Sequence, residues 1–126
     1  MIRVDPVLLI AAVAGGSAVG LGAYGAHGLQ GDDFVKHAWE TGVAYQMWHA
    51  LALIGVALLR QRRDGWRKRA LGFSAALFTA GIIGFCGSLY GFGLTGEILV
   101  PGLAPSGGMA LMAGWLAFAV AAIEHR

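Results

Sequence analysis

Charged side chains are scarce in this sequence: they make up 13% of its 126 residues, about half of their usual share in a soluble domain. A water-soluble enzyme or binding domain needs a charged surface, so the scarcity argues against both. Each membrane span uses about 20 apolar residues. The chain therefore has room for at most about five spans, and none for an added nucleotide-binding or periplasmic domain of about 100 residues.

Cysteine is nearly absent as well. The single cysteine, Cys86, cannot form a disulfide within the chain and lies in an apolar run, so we expect a small buried packing residue. His27 and His49 are the two histidines inside the apolar segments, and no Cys, Asp or Glu completes a ligand set around them. The sequence therefore predicts no metal site and no cofactor.

Apolar residues and glycine are abundant instead: 57% of the chain is hydrophobic, 21 residues are glycine, and the mean hydropathy is +0.66. Four apolar segments cover residues of about 6–28, 41–59, 70–92 and 108–123. The first is longer than the 7–15 residues of a signal-peptide core, which favours a span over a cleaved leader. We predict an all-α integral membrane protein, a single-domain four-helix transmembrane bundle over residues 1–126.

Two intervals between the spans carry their own signals. Residues 29–40 are polar, and Asp32 or Asp33 is a good helix N-cap, which predicts a short interfacial helix running into span two. Trp39 and Trp48 are expected near the headgroups, where tryptophan is enriched. Residues 93–107 contain glycines and two prolines, so we expect an irregular interfacial or re-entrant loop there.

The positive residues are clustered between spans two and three. Eight of the nine Lys and Arg residues share one side of the membrane if both termini lie inside with this loop, and only Lys36 lies outside. The positive-inside rule then predicts an N-in, C-in orientation in the inner membrane. Because flanking spans explain the cluster, no nucleic-acid partner is expected. The predicted cytoplasmic anchor consists of Arg60, Arg62, Arg63, Arg67, Lys68 and Arg69.

Rows of small residues recur at four-residue spacing in the spans. Lipid tails are as apolar as leucine, so membrane helices associate by close approach at small residues. The rows predict a compact bundle and do not say whether each partner helix belongs to the same chain. The predicted packing residues are Gly16, Gly20 and Gly22 in span one, and Gly72, Ala76, Ala80 and Gly84 in span three.

No charged residue occurs inside any predicted span. A proton-coupled exporter of this size needs a membrane-embedded carboxylate, and a nucleophilic serine or cysteine needs a base with an acidic orienter. Neither requirement is met, so no catalytic residue is predicted.

The most informative polar cluster lies in span two. Tyr45 and Gln46 precede His49 by four and three positions, so the three side chains share one helix face. They either bond to one another and to glycine-rich backbones opposite, which fixes helix register, or line a small pocket for a lipid headgroup, a quinone or water.

Several motifs resemble those of a known family. Residues Gly22–Leu29 (GAYGAHGL) resemble its GAFGAHGL signature, and Tyr45–Leu53 (YQMWHALAL) resemble its YQxxHALAL. Residues Gly81–Tyr90 are similar to its G-x-x-x-F-S-G-S-L-Y segment, with cysteine at the position where serine is usual. Pro105–Gly108 and Gly114-Trp115 resemble its loop and fourth-span marks. The family is the four-span group called domain of unknown function 423, whose animal members are named transmembrane protein 256.

The resemblance implies a multi-pass inner-membrane or mitochondrial protein with no established catalytic activity. It also implies that the matching residues form one shared surface in the outer half. If spans one, two and three pack together, we expect a polar cluster there under a lid made by residues 93–107. This predicted polar cluster consists of His27, Tyr45, Gln46, His49, Ser88 and Tyr90.

Two functions follow as hypotheses. The first is a non-catalytic protein acting by helix association, as an accessory or stabilising subunit of a larger membrane complex such as a respiratory one. Its partners would be membrane lipids and other subunits, or further copies of itself. The second is a binder or carrier of a small amphiphile, a quinone or lipid, at the Tyr45, Gln46 and His49 face.

Overall fold

The computed structural model describes residues 1–124, which are helical in most of their length and contain no strand. Four helical stretches are long and apolar enough to cross a membrane, which confirms the predicted all-α architecture. The third stretch is interrupted by one π-helical turn, which is wider than an α-helical turn. The elements are α1 (Pro6–His27), α2 (Asp33–Arg60), α3 (Gly65–Gly81), the π turn (Ile82–Cys86), α4 (Gly87–Thr95) and α5 (Leu103–Ala121).

The helices extend beyond the apolar segments of the sequence. Helix α2 begins at Asp33, so the segment expected as a short interfacial helix forms the first turns of one continuous 28-residue helix. Asp32 is its N-cap, as predicted, because the carboxylate accepts a hydrogen bond from the Val35 N–H at 2.9 Å. Helix α5 begins at Leu103, within the expected loop. Pro105 fits its first turn, where N–H groups have no partner within the helix.

Helix α2 is the central element of the bundle. Helix α1 packs along α2, and α5 packs along α3 and the π turn. Helix α2 also contacts α3, the π turn and α4, whereas α1 and α3 make almost no direct contact. Consecutive spans run in opposite directions, which puts residues 1–6, 60–69 and 121–124 at one end, here called the basic end. The orientation of this end toward the cytoplasm stays a prediction.

Helix α5 and the π turn approach so closely that their backbones touch. A Cβ atom at Gly107 would overlap the backbone nitrogen of Phe85 and would lie 2.7 Å from the carbonyl carbon of Gly84. A Cβ atom at Gly84 would lie 3.3 Å from the Cα of Gly107. Since apolar burial alone gains little in lipid, this contact between backbones is a main determinant of how α5 packs against the π turn.

We predict that Gly107→Ala destabilises the protein by about 1–3 kcal/mol, because the added methyl group meets backbone that no rotamer change can move aside. Gly108→Ala is the matched control, since its Cβ would make an ordinary 3.6 Å contact with the Phe85 ring. The measurement is thermal unfolding of both variants in mild detergent. Equal midpoints for the two variants would contradict the close contact.

Candidate functional site

The side-chain amide of Gln46 links three helices. This residue of α2 is only 5% exposed. Its Nε2 donates to the carbonyl oxygen of Ala14 at 2.8 Å and to the hydroxyl of Ser17 at 2.7 Å, both on α1. Its Oε1 accepts from the Tyr90 hydroxyl of α4 at 2.7 Å. One amide therefore ties both α1 and α4 to α2.

The direction of each bond in this network follows from chemistry. A backbone carbonyl can only accept, so the nitrogen of Gln46 must face Ala14 and its oxygen must face Tyr90. The Ser17 hydroxyl accepts a hydrogen bond from Gln46 and donates one to the Val13 carbonyl oxygen at 2.7 Å. Both amide protons of Gln46 are thus engaged, and no donor remains for a ligand.

His49, one turn further along α2, makes a separate contact with α5. It is 5% exposed, and its Nδ1 lies 2.7 Å from the carbonyl oxygen of Tyr45, one turn earlier in α2. The indole N–H of Trp115 donates to its Nε2 at 3.0 Å. Since the carbonyl accepts and the indole donates, His49 is the neutral tautomer with its proton on Nδ1.

Tyr45 contributes its ring to this region. The ring lies 5.0 Å from that of Phe85 and 5.1 Å from that of Trp48, measured between centroids. Trp48 is 57% exposed on the outside of the bundle. Tyr45 therefore packs beside His49 as an aromatic neighbour.

Two members of the predicted polar cluster lie apart from it. His27 is the last residue of α1 and is exposed. The Ser88 hydroxyl donates to the Gly84 carbonyl of its own helix at 2.6 Å. The structure thus brings together Tyr45, Gln46, His49 and Tyr90, and leaves His27 and Ser88 outside.

Ser88 instead lines an apolar cavity of about 560 Å³ at the end opposite the basic end. Phe34 and Phe92 line it from α2 and α4, and the segment 98–105 closes one side. The interval expected as a lid therefore covers this apolar cavity. Its volume falls in the range of about 300–1,000 Å³ that is usual for small-molecule sites.

The predicted small-residue rows divide into inward and outward positions. Gly84 is buried against α5, and a Cβ at Gly22 would contact Val43 of α2 at 3.3 Å. A Cβ at Gly72 would lie 3.7 Å from the Nε of Arg60. The remaining predicted packing residues are exposed in the single chain: Gly16, Gly20, Ala76 and Ala80.

Two buried hydrogen bonds between helices were not predicted from the sequence. Trp39, expected near the headgroups, is 2% exposed, and its indole N–H donates to the Leu21 carbonyl of α1 at 2.8 Å. A Cβ at Gly93 would lie 2.6 Å from its ring, so small residues make room for it. The Ser74 hydroxyl, fully buried, donates to the Gly114 carbonyl of α5 at 2.8 Å. In the sequence, the signal for both bonds was a polar side chain on one helix that could face a glycine-rich helix.

At the basic end, Asp5 joins α1 to α2. Its Oδ1 accepts from the N–H groups of Val7 and Leu8, and its Oδ2 accepts from the Gln61 amide at 2.8 Å. The Gln61 bond first, then the Leu8 and Val7 bonds and the Arg60 charge, hold the pKa of Asp5 below its ordinary value. This contribution to stability is therefore present above the ordinary pKa and is lost as the pH falls through the lowered one.

The other members of the basic cluster differ in their contacts. The Arg67 Nε donates to the Ala121 carbonyl at 3.1 Å, and its Nη2 pairs with Glu124 at 3.2 Å, which secures the end of α5. Arg62, Lys68 and Arg69 are exposed. Within residues 1–124, no three His, Cys, Asp or Glu residues lie close enough to hold a metal ion.

These observations define a small multi-pass membrane protein whose buried polar groups bond helices to one another. Comparison with known proteins gives the same class. Residues 21–108 match the family described as protein of unknown function (DUF423), and the chain belongs to this family. No solved structure matches the chain.

Relatives in several bacteria resemble nearly the whole chain. The UPF0382 membrane protein YwdK of Bacillus subtilis is 38% identical over 94% of this chain and 96% of its own length. The UPF0382 inner membrane protein YgdD of Escherichia coli is 38% identical over 94% of this chain and 89% of its own length. A UPF0382 membrane protein of Staphylococcus epidermidis is 34% identical over 93% and 94%. The chain is therefore a multi-pass protein of the inner membrane.

We predict that His49→Leu destabilises the bundle by about 1–2 kcal/mol, because it leaves the Trp115 N–H without its acceptor in an apolar interior. His27→Leu is the matched control, since that histidine is exposed at a helix end. Thermal unfolding in detergent measures both variants. An unchanged midpoint for His49→Leu would count against a structural role for this contact.

Proposed function

We propose that this protein acts without catalysis, by helix association, as an accessory or stabilising subunit of a larger membrane assembly such as a respiratory complex. In the proposed orientation both termini and the basic end face the cytoplasm. The observation that carries the proposal is the outward face of α1, which has no partner helix within residues 1–124.

One row of this face consists of small residues, beside the exposed side chains of Leu9, Val13 and Val19. Ala12, Gly16 and Gly20 are exposed, and a Cβ at either glycine would meet no atom within 4 Å. Small residues are enriched where membrane helices touch, because they let backbones approach. Opposite this face α1 buries Val7, Ala11, Ala14 and Ala18 against the bundle. A helix with small residues on both sides is suited to lie between two neighbours.

The use of the polar side chains supports a non-catalytic role. Gln46, His49, Ser74 and Tyr90 all make hydrogen bonds between helices. Such groups are satisfied by the fold itself, and a reactive centre would need one of them free to meet a substrate. For the same reason, binding of an amphiphile headgroup at the Tyr45, Gln46 and His49 face is disfavoured.

A second candidate function, binding of a small amphiphile, is favoured by the apolar cavity at the opposite end. The cavity holds about 560 Å³ and is lined by aliphatic and aromatic side chains such as Phe34, Leu89 and Phe92. A lining of this kind suits a hydrocarbon or isoprenoid tail. We therefore propose amphiphile binding at this cavity rather than at the Tyr45, Gln46 and His49 face.

We predict that Gly16→Leu with Gly20→Leu removes the protein from a larger assembly without unfolding it, because both side chains have space in the single chain but block a neighbouring helix. The matched control is Gly87→Leu, a helical glycine of α4 with the same free space, which fills the cavity and leaves α1 unchanged. The measurement is blue-native electrophoresis after gentle solubilisation at native expression level.

The expected result is comigration of the wild type and Gly87→Leu with a stoichiometric large complex, and loss of comigration for the α1 variant. Migration of the wild-type chain alone would contradict the accessory-subunit role. Loss of comigration for Gly87→Leu only would shift the interaction to the cavity.

A further inference from the structure

A second apolar depression, distinct from the cavity, lies between α1 and α3 at the basic end. It has a volume of about 490 Å³. Val7 and Ile10 of α1 form one wall, and Gly72, Ala76 and Ala80 of α3 form the other. This groove exists because α1 and α3 both pack on α2 and make almost no contact with each other.

The α3 wall of the groove is the small-residue row that the sequence offered for helix packing. Ala76 and Ala80 are exposed along it, so no helix in the described part of the chain fills the space. A groove of this kind within a bilayer is filled by a lipid chain or by another helix, since a void forfeits dispersion contacts. Which of the two fills it depends on the polar group at its end.

That group is Arg60, the last residue of α2, which lines the groove with its side chain. Its Nε is buried and has no hydrogen-bond partner within residues 1–124. A guanidinium carries five N–H donors, and a buried donor left unpaired is costly. The nearby Asp5 carboxylate is engaged by Val7, Leu8 and Gln61. The terminal Nη groups of Arg60 are not buried in this way and make no side-chain hydrogen bond within residues 1–124, so the guanidinium can take an acceptor from outside the chain.

We propose that this groove binds an anionic phospholipid, with an acyl chain along Ala76 and Ala80 and the phosphate at Arg60. Arginine suits phosphate because its planar fork matches two phosphate oxygens. The basic end favours an anion further, since seven Lys and Arg residues there face three Asp and Glu residues within the described part of the chain. Basic pockets between membrane helices recognise anionic headgroups in the same way.

The charge also argues against a second copy of the chain in this groove. An apolar helix laid against Ala76 and Ala80 would cover Arg60 and leave its guanidinium without an acceptor, which is costly in lipid. A phospholipid supplies the apolar chain and the acceptor together. The proposal is independent of the helix-association role, because neither Gly16 nor Gly20 lines the groove and Val7 lies on the side of α1 opposite Gly16.

The headgroup part of the proposal is tested by native mass spectrometry of the full-length protein in detergent. The protein is titrated with phosphatidylglycerol and, separately, with phosphatidylcholine of the same acyl chains. We expect tighter binding of phosphatidylglycerol, and Arg60→Gln to weaken that binding about fivefold, the ratio that about 1 kcal/mol per cation corresponds to. Phosphatidylcholine binding should change less.

Arg62→Gln is the matched control for charge, because Arg62 is an exposed cation two residues away that does not line the groove. Equal weakening by the two variants would assign the effect to general surface charge and overturn the proposal. Displacement of phosphatidylglycerol by soluble glycerol phosphate at equal concentration would reveal a simple anion site and overturn it as well.

The acyl-chain part is tested by Ala76→Leu, which narrows the groove without touching Arg60. It should weaken the binding of both phospholipids, whereas Ala119→Leu, at an exposed position of α5 outside the groove, should weaken neither. Thermal unfolding of each variant verifies that the bundle is intact. Unchanged phospholipid binding by a folded Ala76→Leu variant would overturn the placement of the acyl chain.

Discussion

The side-chain amide of Gln46 is the interaction on which the arrangement of the helices depends. In lipid, apolar surfaces gain little by facing each other, so register and neighbour choice rest on close approach and on interhelical hydrogen bonds. Gln46 provides such bonds on two sides at once, to Ala14 and Ser17 of α1 and to Tyr90 of α4. A shift of either helix by one turn would leave a buried amide group unpaired.

Much of the fold could be predicted from the sequence because each span is a long run of apolar residues bounded by charged residues. The number of spans, their helical type and the Asp32 cap all followed from that pattern. The π turn at Ile82–Cys86 could not be predicted, since it depends on how α5 seats against Gly84. The early start of α5 was also missed, because proline and glycine signal irregular backbone unless the proline falls in the first turn.

The candidate site was predicted in part for a similar reason. Helical spacing places Gln46 and His49 on one face, and the structure gives both a partner on another helix, Tyr90 and Trp115. Spacing within one helix says nothing about which groups another helix presents, so His27 was included although it lies at an exposed helix end. The spacing of small residues likewise does not show which neighbour a row faces, and the row on α3 lines a groove.

The central claim, that Gln46 holds the bundle through its bonded partners, is tested most directly by a double-mutant cycle between Gln46→Leu and Tyr90→Phe. The free energy of unfolding in mild detergent would be measured for the wild type, both single variants and the double variant. The account predicts that the double variant loses less than the sum of the two single losses, with a coupling of at least about 0.6 kcal/mol. Losses that simply add would contradict it.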